Sequence, residues 1–133
     1  MTTLKVGLVQ QSNVDDREAN IQKSLRGIAE CVEKGAELVV LQELHTGIYF
    51  CQVEDVACFD LAEPIPGPST EVFARAALRH GIVLVTSLFE KRAPGIYHNT
   101  AVVFDKDGSV AGKYRKMHIP DDFGHRFRFI SAT

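Results

Sequence analysis

The residue best placed for chemistry is Glu43. It ends the stretch Glu37-Leu-Val-Val-Leu-Gln-Glu43, in which Leu38 to Leu41 form an apolar run suited to a buried strand. Ligands of open α/β sheets sit beyond the C-terminal ends of the strands. The order of residues therefore predicts a carboxylate carried to a binding edge, where it can take a proton from a nucleophile or a water. By itself, Glu43 reads as readily as a solvated acid after a strand. Tyr49 follows closely enough to line the same pocket, and it reads equally as a donor to a bound polar group and as packing. Lys116 stands in a basic run with Lys113 and Arg115, a pattern that alone describes a solvated face. His118 reads first as a structural hydrogen-bonding residue and second as an orienter of Lys116. Asn99 and Asp105 are expected to hold strand ends and a turn rather than substrate. Cys51 and Cys58 sit on no strand-to-helix elbow and have no cationic cluster beside them in sequence. Cys31 falls near the apolar face of a helix, where an inert thiol is expected.

The elements that must position these residues are legible from their periodicity. Leu4 to Gln10 alternates loosely and predicts a first strand. Asp15, with Glu18 three residues on, predicts a helix start. Ile21, Leu25, Ile28 and Val32 share one helical face, and Gly35 is placed to close the helix. The strand leading to Glu43 follows, giving the strand–helix–strand order of parallel neighbours. His45 to Pro68 predicts a long irregular connection. Ser69 or Thr70 is expected to cap a short helix with Val72, Phe73, Ala76 and Ala77 on its apolar face, ended by Gly81. Ile82 to Phe89 is nearly continuous in apolar residues and predicts a strand buried on both faces. Tyr97–Asp105 and Ser109–Arg115 predict a hairpin around Asp107-Gly108, with Gly112 marking a bulge or a close backbone approach.

The chain has 133 residues, 45% of them hydrophobic and 24% charged, and a net charge of −2. Neither a nucleic-acid partner nor a membrane partner is expected from that balance or from apolar runs this short. The N-terminus has no basic stretch followed by an apolar one, and the three cysteines are odd in number. Both features predict a cytoplasmic protein with reduced thiols. The first strand–helix turn lacks a G-x-G-x-x-G pattern and no P-loop is present, which argues against a nucleotide-binding domain.

Three ordered stretches resemble the carbon–nitrogen hydrolase (nitrilase/amidase) superfamily: Leu38-Val-Val-Leu-Gln-Glu43, Asn99-Thr-Ala-Val-Val-Phe-Asp105 with Asp107-Gly108, and Gly112-Lys-Tyr-Arg-Lys-Met-His-Ile-Pro120. The resemblance runs from about residue 5 to residue 122, and residues 123–133 form a divergent tail. Glu43-Leu-His-Thr-Gly-Ile-Tyr-Phe-Cys-Gln52 and Phe59-Asp-Leu-Ala-Glu-Pro-Ile-Pro-Gly-Pro-Ser-Thr70 are similar to the N-carbamoylputrescine amidase branch of that superfamily.

The resemblance implies an α/β fold, here a partial α-β-β-α sandwich of the nitrilase type, in a single domain over residues 1–133 that is incomplete at its C-terminal end. It implies hydrolysis of N-carbamoylputrescine to putrescine, ammonia and carbon dioxide, a step of polyamine synthesis. It implies a Glu-Lys-Cys catalytic set in which Glu43 is the general base and Lys116 stabilises the oxyanion, with Tyr49 lining the substrate site. Neither metal nor cofactor is implied; the expected partners are a small-molecule substrate and further copies in a homo-oligomer. The cysteine of the set belongs downstream of Lys116, and this sequence has none after Cys58. A second glutamate, expected soon after Pro120, is also missing. The chain alone is therefore expected to be inactive, a non-catalytic binding or assembly module being the alternative.

Overall fold

Branched residues build two short parallel strands, β1 (Val6–Val9) and β2 (Leu38–Leu41), paired from Val6↔Leu38 to Val9↔Leu41. The helix between them, α1 (Arg17–Glu33), starts one residue later than the sequence suggests. Asp16, not Asp15, adopts the extended cap conformation, and its carboxylate accepts from the Ala19 amide at 3.0 Å. Glu18 accepts from Gln22 and does not close a capping box. A computed structural model describes residues 3–117 of the chain. Within them follow a 3₁₀ turn over Val56–Leu61, the helix α2 (Pro68–His80), and the strands β3 (Val83–Ala93), β4 (Ile96–Phe104) and β5 (Val110–Arg115). Gly67 is the cap residue of α2, so Ser69 and Thr70 lie inside its first turn. Proline at the first helical position explains the shift, since its fixed φ suits that place and its missing N–H costs nothing there.

The sheet order is β1-β2-β3-β4-β5; the first three strands are parallel and the last three antiparallel. The β4–β5 ladder shifts register between Val103 and Phe104, beside Gly112, so that glycine marks a bulge. Its missing side chain faces open space, and no backbone approaches it closely.

Both helices lie on one side of the sheet. Ile21 and Ile28 of α1 and Phe73, Ala76 and Ala77 of α2 pack on Val39, Leu41, Leu84, Val102 and Phe104. Strand alternation turns the neighbouring residues to the opposite face. There Val83 and Val85 are only half-buried, whereas Leu84 and Thr86 are buried. The expectation of a strand buried on both faces is thus corrected for the described residues: an uninterrupted apolar run shows what could be covered, not what covers it. Leu8 on that face is 76% exposed. One end is covered by a cluster of Phe89 and Tyr97 with Phe50 and Phe59 from the long connection. Among the described residues no helix is long and apolar enough to cross a membrane.

Helix and sheet approach closely at Gly7. A Cβ there would stand 2.6 Å from Cys31 Cβ and 2.7 Å from Cys31 Sγ on α1. Gly7→Ala should therefore destabilise the fold by about 1–3 kcal/mol, the usual range for overpacking. Urea denaturation reads this as a lowered midpoint at unchanged slope; an unchanged midpoint would contradict the approach of α1 to β1.

Candidate active site

After β2 the chain passes Gln42 and Glu43 and then turns sharply at Leu44, whose φ of 50° lies in the left-handed region. A side chain with a Cβ holds that conformation at a cost of about 1–2 kcal/mol. The turn is held from two sides. Ser87 Oγ on β3 accepts the Leu44 amide at 3.1 Å, and the Leu44 side chain is 4% exposed. Underneath lies a partly buried polar network. Gln11 Nε2 donates to the His45 and Asn20 carbonyls, and the Gln11 amide donates to Gln42 Oε1 at 2.6 Å. Ser24 Oγ meets Gln11 Oε1 at 3.1 Å and His45 Nδ1 at 3.0 Å. These bonds tie the segment after β2 to α1.

The structure brings the two predicted residues Glu43 and Lys116 together across the sheet. Lys116 Nζ donates to Glu43 Oε1 at 2.8 Å, although 73 residues separate them in sequence. Asn99 Nδ2 donates to the same oxygen at 2.6 Å, and Asn99 Oδ1 accepts from Ser87 Oγ at 3.3 Å. Glu43 Oε2 has no hydrogen-bond partner among the described residues. The site is therefore a half-exposed carboxylate with one oxygen fixed by an ammonium and an amide. Asn99, expected to serve a strand end, instead orients the carboxylate. Its position on β4 opposite Phe89 is what delivers it there, and no local sequence signal announces that pairing.

The basic run around Lys116 divides by strand alternation. Lys113 and Arg115 point to the helix-covered side, where Glu90 receives them. Lys116 follows β5, its amide donating to the Asn99 carbonyl at 2.8 Å, and its side chain joins Glu43.

Tyr49 flanks an open depression with Glu43, Gln42, Val40 and Leu8. Partial burial, a hydrogen bond to Cys51 and the Glu43 charge together push its hydroxyl up to about 12, so it stays protonated and able to donate. Cys51 lies closer to the site than its sequence context suggests, because both Glu43 and Lys116 act on its thiol. That one cation comes from β5 and not from the local sequence, and it forms no cationic cluster around the thiol. Burial still pushes the Cys51 thiol up, against the effect of the Tyr49 hydrogen bond and with Glu43 adding to the rise; that environment does not favour a thiolate. The connection carrying both residues is fastened by Glu63. Its backbone bridges to Phe89 and Lys91, and its carboxylate accepts from the Ser69 amide at 3.0 Å and pairs with Arg17 at 3.2 Å. His118, the residues beyond it and the place of the expected second glutamate lie outside the described residues.

The carbon–nitrogen hydrolase family profile matches residues 5–131. Among curated proteins, a citrullinase of Francisella tularensis subsp. tularensis is 35% identical over 130 residues, covering 97% of this chain and 45% of that protein. An N-carbamoylputrescine amidase of Solanum lycopersicum is 35% identical over 125 residues, covering 93% of this chain and 41% of that protein. Among solved structures, a carbon–nitrogen hydrolase from Helicobacter pylori G27 superimposes with a TM-score of 0.84 at 45% identity, over 90% of this chain and 41% of the other. The chain thus spans less than half the length of these proteins.

His45, two residues from Glu43, gives the site a pH signature. It is 1% exposed and packs edge-on against Phe73 at 4.9 Å, and burial lowers its pKa to about 3. In the unfolded chain the ring regains its ordinary value of 6.5 and binds a proton that the folded form refuses. The stabilisation is therefore complete above the unfolded value and is lost as pH falls from 6.5 toward about 3. Well below 6.5 the loss approaches roughly 1.4 kcal/mol per pH unit. Urea denaturation across that window should show a slope about one proton smaller in His45→Asn than in the unmodified chain; equal slopes would contradict a neutral, buried ring.

Proposed function

This chain belongs to the carbon–nitrogen hydrolase family, and on that premise we propose that Glu43 and Lys116 are the general base and the oxyanion-stabilising cation of an amidase acting on N-carbamoyl amines. The observation that carries this reading is the unequal use of the Glu43 carboxylate. Both internal donors, Lys116 and Asn99, converge on Oε1. Oε2 is left to take a proton from a thiol and later from a water. The thiolate so formed attacks the ureido carbon, and negative charge develops on the ureido oxygen. The Lys116 ammonium, already fixed beside the carboxylate, is placed to stabilise that oxygen without reorganisation. Collapse of the intermediate returns the proton from Glu43 to the departing nitrogen, and water then releases the carbamoyl group from sulfur. Tyr49, protonated and at the rim, is assigned to the polar end of the substrate.

The substrate class follows from what two relatives are called. Citrulline and N-carbamoylputrescine share a terminal ureido group on an aliphatic amine. N-carbamoylputrescine is our preferred substrate, which would place the protein in polyamine synthesis; the free thiols of Cys31, Cys51 and Cys58 accord with a cytoplasmic setting. The nucleophile is assigned to a cysteine downstream of Lys116, which this sequence does not contain. A second reading, a module that binds or assembles without turnover, draws on the uncovered apolar residues of the sheet, Val6 and Leu8 among them. Self-association of copies through that face is part of it.

The purified chain should release no ammonia from N-carbamoylputrescine. Release should appear when a cysteine-bearing C-terminal half from the family is co-expressed with it, and Glu43→Gln should then lower turnover by about 10²-fold or more. Turnover by the chain alone would overturn the assignment of the nucleophile. A substrate-dependent rise in melting temperature with no turnover in either form would favour the binding module.

A further inference from the structure

Directly behind the site, on the helix-covered side of the sheet, lies a charged cluster that the proposed chemistry does not use. Glu90 on β3 is 1% exposed. Arg115 grips it with two bonds, Nε to Oε2 and Nη2 to Oε1, each 2.7 Å. Thr100 Oγ1 adds a third bond to Oε2 at 2.7 Å, and Lys113 Nζ stands 3.7 Å from Oε1. Burial alone would raise the Glu90 carboxyl, but these donors hold it below its ordinary value, so it is charged. A buried carboxylate this fully satisfied fixes geometry, because each partner that moves leaves a desolvated charge behind.

What it fixes is the end of β5. Arg115 is the last residue of that strand and sits opposite Thr100 on β4. Lys116 is the next residue, and its amide bonds to Asn99, the neighbour of Thr100. Adjacent strand residues point to opposite faces. The guanidinium and the ammonium therefore leave the same stretch of backbone in opposite directions, one toward Glu90 and one toward Glu43. β5 is an edge of the sheet among the described residues, and strand ends at an edge fray readily. The Lys116–Glu43 contact is itself exposed, with side chains 36% and 41% accessible, and pairs of that kind contribute too little to order a strand end.

We propose that Glu90 and Arg115 are positioning residues, a buried fork that holds the end of β5 so that the Lys116 ammonium stays on the Glu43 carboxylate. The proposal rests on the reading of Glu43 and Lys116 as a working pair, but its test needs no turnover.

The test is reductive methylation of the whole chain with formaldehyde and a borohydride, read lysine by lysine by peptide mass spectrometry. Lys116 is measured relative to Lys34 and Lys106, both exposed and remote. Glu43→Gln sets the benchmark for an unpaired Lys116, a rise in relative labelling of up to about fivefold for the loss of one exposed ion pair. Glu90→Gln and Arg115→Lys should raise Lys116 labelling toward that benchmark. Arg115→Lys keeps the charge but loses the paired hydrogen bonds to the carboxylate, and it decides the matter if Glu90→Gln does not fold. Ile28→Val, on the α1 side of the core, controls for general loosening and should leave the ratio unchanged. Wild-type ratios in folded Glu90→Gln and Arg115→Lys, with Glu43→Gln elevated, would overturn the proposal alone. An equal rise in Ile28→Val would also overturn it. A wild-type ratio in Glu43→Gln would reject the Glu43–Lys116 pairing and the proposal with it.

Discussion

One carboxylate oxygen, Glu43 Oε1, receives an ammonium from the end of β5 and an amide from β4. Magnitude decides how that meeting can exist. The pair is partly exposed, and contacts of its kind contribute at most about 1 kcal/mol. Ordering one residue's backbone costs about as much or more. The three side chains therefore cannot assemble themselves; the backbone must be in place before they meet. That requirement explains the ladder, in which β3 and β5 are both registered on β4. Ser87 on β3, Asn99 on β4 and Lys116 just past β5 lie side by side, and each bonds to the next or to Glu43.

The two faces of the sheet divide the work. On the helix side, burial of Leu84, Val102 and Phe104 against α1 and α2 supplies the apolar area that a domain of this size needs. Among the polar residues on that side, Glu90 and Thr100 bond to each other, and Glu90 also to Arg115. On the other side, away from the cluster around Phe89 and Tyr97, the residues are half-buried, exposed or polar, and Glu43, Asn99 and Lys116 meet there. The strained turn at Leu44 lies where the two regimes meet. Its amide is held by Ser87 from the open face while its side chain is buried, and it aims Glu43 across the sheet rather than along β2.

Much of this was legible in the residues. The apolar run before Glu43, the helix faces and the hairpin at Asp107-Gly108 depend on local period and turn chemistry, which a sequence states directly. Lys116 was legible only through the order of motifs, because a lysine in a basic run carries no sign of which face it will take. Glu90 was not legible at all. It precedes Lys91 and Arg92 in what looks like the polar end of a strand, and only the extension of β3 to Ala93 and the return of β5 turn it into a buried anchor. Asn99 was misread for the same reason: its partner is 56 residues away. Asp15 and Asp16 are chemically identical as caps, and the choice between them rests on which one faces the Ala19 amide.

The alternation along β5 has a consequence for how such a chain tolerates change in length. Inserting or deleting one residue within the strand would exchange the two directions, sending a guanidinium to the open face and an ammonium toward a buried carboxylate built for a planar fork. Two residues would restore the facing but break the alignment with β4. Drift in length is thus confined to the connections on either side, such as the exposed Asp105–Asp107 turn, while the strand itself can diverge only by substitution.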